Sequence, residues 1–287
     1  MISFDNTEIA FRSKNKQDLQ RAFLLFKIIG APAIVKLGKI LTPIALQLRL
    51  PIKGLIKKTI FKQFCGGETI NDCDPAITSL HAFGIGTILD YSVEGKTKEE
   101  DFEQTTQIII QTIEKSATDK RIPFAVFKLT GIFQSELLEK AQTEAELNEE
   151  EQELFNHSKE ILVEICELAH QLKVRLFIDA EESWIQTTID NLTYEMMERF
   201  NQETAIIYNT YQMYRHDMLV NLKEAIDAAK EDNYFLGVKL VRGAYLEKER
   251  QKAHDDEYSE PLHVCKEDTD RDYDLGVELC LKNVDHV

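Results

Sequence analysis

Paired cysteines are missing from this sequence. Its five cysteines stand at positions 65, 73, 166, 265 and 280, with no CxxC and no dense framework, which points to reduced thiols in a cytoplasmic protein. No secretory signal is expected either, since "MISFDNTEIAFRSK" has no basic stretch followed by an apolar one. Long hydrophobic runs are absent. Residues 22–50 are apolar, but Lys27, Lys36, Lys39 and Arg49 interrupt them, and the longest uncharged run, "ILTPIALQL", is too short to span a bilayer. No GxSxG elbow or Walker loop occurs, so serine-type acyl transfer and P-loop chemistry have no support. "FGIGT" has two glycines and precedes a strand-like run, whereas a Rossmann nucleotide loop follows one. The seven histidines are scattered, and His254, His263 and Cys265 make no recognisable metal spacing.

What is present is enough apolar residue, 43% of 287 positions, to bury a large core in one domain with a helical extension. The net charge of −16 argues against general nucleic-acid binding. It is unevenly spread. Arg12 to Lys62 holds twelve Lys and Arg against Asp18 alone, a segment of +11, which leaves −27 on the remainder. Cations between apolar stripes fit a peripheral surface for anionic lipid, and equally a helical layer packed on an acidic body.

The N-terminal third, residues 1–84, reads as helical. "KQDLQRAFLLFKII" has helical spacing and stops near Gly30 and Pro32, and "AITSLHAFG" predicts a helix ending at Gly84. Pro43, Pro51 and Gly54 are expected to cut the stretch between them into short pieces. From residue 85 to 287 a rhythm sets in. Five runs have strand composition, at 87–93, 123–130, 175–181, 205–212 and 235–243. Helical patterns separate them, including Lys98–Ser116, Glu150–Gln171, Ser183–Phe200 and Met213–Lys230. The acidic segment 135–153 reads as a solvated loop and helix start. Strands alternating with helices imply parallel pairing, hence an α/β fold.

Each strand ends in polar residues: Asp90 and Glu94, Lys128, Asp179 and Glu181, Gln212, then Lys239 and Arg242; strand alternation puts Asp179 and Glu181 on one face. An open sheet would gather these at one switch point, whereas a (β/α)8 barrel spreads them around its C-terminal mouth, so the even spread favours the barrel. Taken singly they are unremarkable, because strand-end lysines snorkel and Asp-Ala-Glu serves as well for a helix cap. Together they form a cation-rich pocket without a nucleophile–base pair, which suits a cofactor that carries the chemistry.

"KLVRGAYLEKER" resembles a signature of the flavin-dependent proline dehydrogenases, and "FCGGETI", "LDYSVEG", "FKLTGI", "FIDAEESW", "YNTYQMYRHD" and "DTDRDY" follow that family's order over residues 60–285. The resemblance implies a (β/α)8 barrel with FAD at the strand ends. It further implies oxidation of L-proline to 1-pyrroline-5-carboxylate by hydride transfer to flavin N5, and a membrane quinone as electron acceptor. Lys239 would lie near N5, with Asp179 as the active-site aspartate and Glu181 supporting it. Arg242, with backbone at Gly243 and Ala244, would contact the cofactor. Gln212 would bond the flavin's pyrimidine edge, Ala180 would lend backbone, and Thr269 would touch the nucleotide part. Lys128 would bind the proline carboxylate, Tyr245 would wall its ring, and Glu68 matches a gating acid. The location implied is cytoplasmic, peripheral on the inner face of the membrane.

Members of that family continue through a Thr-His-Asn segment, three more strands and a final helix with adjacent arginines, whereas no Arg-Arg pair occurs here. The expectation is a C-terminally truncated barrel of about five βα units. Two other readings stand beside it: a lyase forming a Schiff base on Lys239 or Lys128, and an inactive chain serving as a binding or scaffold module.

Overall fold

The computed structural model describes residues 5–91, 98–143 and 145–287. It divides into two compact units, Met1–Thr87 and Ile88–Val287.

The first unit is helical: α1 (Thr7–Ala10), α2 (Lys16–Ile29), α3 (Pro32–Gln47), α4 (Lys53–Ile56), α5 (Lys62–Phe64) and α6 (Asp74–His81). Asn15 caps α2 by accepting from the Asp18 N–H at 2.9 Å, and α2 stops at Gly30 as its sequence predicts. α6 leads into Gly84, whose φ of +73° is the left-handed conformation that glycine adopts without strain. Pro43 does not break its helix. α3 runs through it to Gln47, since one proline removes a single backbone donor while the bonds on either side persist. The stop comes later, where Arg49 turns left-handed (φ 54°) and the Leu50 N–H reaches back to the Ala45 carbonyl at 2.9 Å.

Among the described residues the second unit holds five strands: β1 (Ile88–Leu89), β2 (Phe124–Lys128), β3 (Arg175–Asp179), β4 (Ile207–Gln212) and β5 (Gly237–Val241). All pairings are parallel, and the spatial order is β1-β2-β3-β4-β5. This sequential order is a barrel's, because a doubly wound sheet reverses its order at the switch point. Between and after the strands come α7 (Glu99–Thr118), α8 (Ser135–Gln142), α9 (Glu149–Leu172), α10 (Ser183–Phe200), α11 (Met218–Glu231), α12 (Leu246–Asp255) and α13 (Lys266–Lys282). The fold is α/β, five successive βα units of a barrel.

Strand alternation sorts the side chains. Leu176, Ile178 and Ile207 face the helices and are fully buried with Leu162, Ile165, Ile189, Met196 and Leu222. The other face carries Phe124, Phe177 and Tyr208, with Phe124 and Phe177 stacked at 4.5 Å and Tyr208 edge-on to Phe177 at 5.3 Å. Those rings fill the inside of the arc below its polar end. Gly237 is required where β5 meets β4, since a Cβ there would lie 2.1 Å from the Ile207 carbonyl oxygen.

Two expectations are corrected. The first half of the acidic segment is not a solvated loop but α8, which buries Leu137 and Leu138 and accepts the Thr188 hydroxyl at the Leu138 carbonyl (2.9 Å). The fourth helix begins at Met218 rather than Met213. Residues 213–216 spend their backbone elsewhere: Met213 N–H donates to the Val241 carbonyl at 2.8 Å, and His216 N–H to that of Pro261 at 3.1 Å. Glu94, expected at the first strand's end, lies outside the described residues.

Candidate active site

The C-terminal ends of β2 to β5 bring the chemistry together. Lys128 closes β2 opposite Asp179, which closes β3, and Lys239 on β5 lies opposite Thr210 on β4. All four face the inside of the arc. Lys239 Nζ donates to Asp179 Oδ1 at 2.5 Å, and Thr210 offers its hydroxyl to the Ile178 carbonyl (2.9 Å) and to Asp179 (3.4 Å). Lys239 also stands 5.2 Å from the centre of the Phe177 ring. A cation is therefore held over an aromatic floor by a carboxylate two strands away.

Lys128 sits 5.7 Å from the centre of the Tyr245 ring. Tyr245 is 9% exposed, and burial pushes its hydroxyl up to about 12, against the pull of Lys128. An ammonium beside an aromatic wall can grip a carboxylate while the ring packs an apolar body.

Glu181 does not extend the Asp179 side of the site. β3 ends at Asp179, and Glu181 turns to β2, where its carboxylate accepts the Thr130 N–H at 3.0 Å and the Thr130 hydroxyl at 2.5 Å. It is 2% exposed, and burial raises its carboxyl to about 7 against the Thr130 bonds and the Lys128 charge. The two acids expected to share one face thus serve different strands.

Gln212 is buried at the end of β4. Its Nε2 donates to the Glu181 carbonyl at 2.7 Å and its Oε1 accepts the Ala244 N–H at 3.2 Å. Ala180 is buried between the two acids. Gly243 has φ +136°, and a Cβ there would lie 2.4 Å from the Tyr214 ring, so this turn is closed to other residues. Arg242 turns outward, bonding Asp270 Oδ1 at 2.5 Å and lying 4.4 Å from the centre of the Tyr273 ring. Thr269 is buried in the first turn of α13. Glu68 belongs to the helical unit, where it is exposed and accepts from Lys57.

The sequence reading missed Thr130, Thr210 and Asp270. Thr130 stands inside the quoted "FKLTGI", and its position two residues after Lys128 was the available signal. Asp270 stands inside "DTDRDY", but nothing local ties it to a strand 28 residues earlier.

Of the residues expected to hold a flavin, Lys239 faces the inside of the arc, whereas Arg242 is turned to Asp270 and the Gln212 amide is bonded to the Glu181 carbonyl and the Ala244 N–H. Lys239, at the inner strand ends, is the group that suits a planar cofactor gaining negative charge on reduction. Fold and site together define an α/β barrel with lysines and carboxylates gathered at its strand ends. The sequence profile of the family described as proline dehydrogenase matches residues 73–287. The chain belongs to that family.

Relatives agree. The chain is 29% identical over 320 residues to the mitochondrial proline dehydrogenase 1 of Dictyostelium discoideum, an alignment covering 97% of this chain and 56% of that one. It is 30% identical over 224 residues to the carbapenem antibiotics biosynthesis protein CarD of Pectobacterium carotovorum, covering 78% and 58%. It is also 26% identical to a hydroxyproline dehydrogenase of Xenopus laevis, covering 98% and 67%. Among solved structures, proline utilization A from Bdellovibrio bacteriovorus, inactivated by N-propargylglycine, superposes with a TM-score of 0.70 at 19% identity, over 81% of this chain and 25% of that one. That likeness shows the barrel fold. The chain spans a little over half the length of the first two relatives.

Proposed function

We propose that this chain carries a proline dehydrogenase site, oxidising L-proline to 1-pyrroline-5-carboxylate with FAD as the resident cofactor, at the start of proline catabolism towards glutamate. The observation that carries this reading is the Lys128–Tyr245 pair standing beside the Asp179–Lys239 ion pair on neighbouring strand ends. One pair suits a small cyclic amino acid, the other a group that becomes negative.

The reaction takes a hydride from the ring carbon next to nitrogen and a proton from the nitrogen, leaving a C=N bond. FAD, when bound, supplies the two-electron acceptor. The protein's part is binding and orientation. Lys128 holds the substrate carboxylate and Tyr245 walls the ring, which fixes the ring's orientation in the mouth. Asp179 fixes the Lys239 ammonium in place at the inner face of β5, where it can meet developing negative charge. Engagement of Lys239 with a carboxylate at 2.5 Å also weighs against its use as a Schiff-base nucleophile. Electrons would pass to a membrane quinone, consistent with a peripheral position on the inner membrane face. No helix among the described residues is long and apolar enough to cross a membrane.

The test is to load the protein with FAD, add L-proline and a soluble quinone, and look for the cyclic imine by mass spectrometry. Proline-dependent imine formation is expected. Its absence from a protein that holds FAD would overturn the reading.

A further inference from the structure

We propose that Glu181 is a positioning residue that sets both the placement and the effective charge of the Lys128 clamp, an inference that rests on Lys128 being the carboxylate ligand. Four polar atoms of this one residue tie the mouth together. Its Oε1 and Oε2 take the Thr130 N–H (3.0 Å) and hydroxyl (2.5 Å), fixing the backbone two residues beyond Lys128. Its N–H donates to Gln186 Oε1 at 2.7 Å, on α10. Its carbonyl accepts from Gln212, which in turn holds the Ala244 N–H. The ends of β2, β3 and β4 and the turn after β5 are thus joined through Glu181.

A bridge of this kind does not need a charge, and here the carboxyl has one to gain or lose. It is 2% exposed and its ionisation falls near neutrality, raised by burial and held down by Thr130 and Lys128. The titratable neighbours are Lys128 from β2, Tyr245 from the turn after β5 and the adjacent Glu182. On α10, Asp190 stands one amide away, bonded to Gln186 at 2.8 Å and raised by burial to about 6. Glu181→Gln leaves Asp190 in place and so separates the two. Thr130, Gln186 and Gln212 are neutral. When Glu181 is protonated, the Lys128 charge is offset least and is directed to an incoming carboxylate. When Glu181 ionises, it adds an anion beside Lys128 that opposes the ligand. Carboxylate affinity therefore falls as pH rises through the Glu181 transition.

Calorimetric titration of the FAD-loaded protein with cyclopentanecarboxylate tests this. The probe keeps the five-membered ring and the carboxylate but has no ring nitrogen to oxidise, so binding is read apart from turnover. Between about pH 6 and about pH 8.5 the probe stays ionised, and affinity is expected to fall by about threefold to tenfold. Glu181→Gln keeps the shape without the charge, so its affinity should stay level over that range. Thr130→Val removes a bond that favours the ionised carboxyl and should move the inflection to higher pH. This second variant decides the matter if Glu181→Gln does not fold. A wild-type affinity that is level with pH, a slope that survives Glu181→Gln, or an inflection unmoved by Thr130→Val overturns the inference while leaving the carboxylate site standing. Failure to bind the probe at any pH overturns the clamp itself, and the inference with it.

Discussion

Glu181 titrates where most carboxyl groups are already ionised, and folding stability must register it. Its carboxyl lies near 7 in the folded protein against an ordinary 4.5, so between those values the native state holds a proton that the unfolded chain has lost. Stability from this group is complete below about pH 4.5 and declines as pH rises to about 7, by about 3 kcal/mol. Urea unfolding across that range should show the decline in the wild type and a flatter curve in Glu181→Gln; parallel curves would count against the assignment. The role proposed for Lys128 is in ligand binding rather than in the fold. Lys128→Ala removes a charge-assisted bond worth about 1.5–3 kcal/mol, so proline affinity should weaken by about ten- to a hundredfold with FAD content unchanged. An FAD-free variant with intact proline affinity would reassign the residue. At this scale the sequence placed Lys128, Asp179 and Gln212 at strand ends but did not reveal their partners. Asp179 meets Lys239 across 60 residues and Glu181 meets Thr130 across 51, separations that no local pattern encodes. Strand alternation placed Asp179 and Glu181 on one face, and it failed because the strand stops at Asp179.

Elements were the most legible level, because hydrophobic period is local. Five strand-like runs became five parallel strands, and Ser183–Phe200 is helical over the whole expected span. The misreadings have tertiary causes. Residues 213–216 look helical by spacing, yet Met213 and Tyr214 donate to the carbonyls of Val241 and Arg242, and His216 donates to that of Pro261. The acidic segment looks solvated because its glutamates outnumber its leucines, yet two leucines suffice to seat α8 on α10. Leu138 is fully buried there. Leu138→Ala should cost about 2–5 kcal/mol of unfolding free energy. A change below about 0.5 kcal/mol, typical of surface substitutions, would mean that α8 is not packed as described.

Over the whole molecule, charge is divided by position in the chain. The basic segment of residues 12–62 also exposes large apolar side chains, among them Phe23 (72%), Leu48 (67%) and Leu55 (65%). Cations beside exposed apolar groups suit an anionic bilayer surface, where each cation contributes about 1 kcal/mol. Sedimentation with anionic vesicles should exceed that with neutral ones and weaken with salt; equal binding to both would remove the lipid reading. Barrel topology was legible from the spread of polar strand ends, and the sequential strand order bears it out. The central claim is that the cation-rich mouth joins FAD to L-proline. Anaerobic addition of L-proline to the FAD-loaded protein, followed by the flavin's visible absorbance, tests it most directly. Loss of the oxidised flavin band with saturating dependence on proline is the predicted result, and a band that proline leaves unchanged would contradict it.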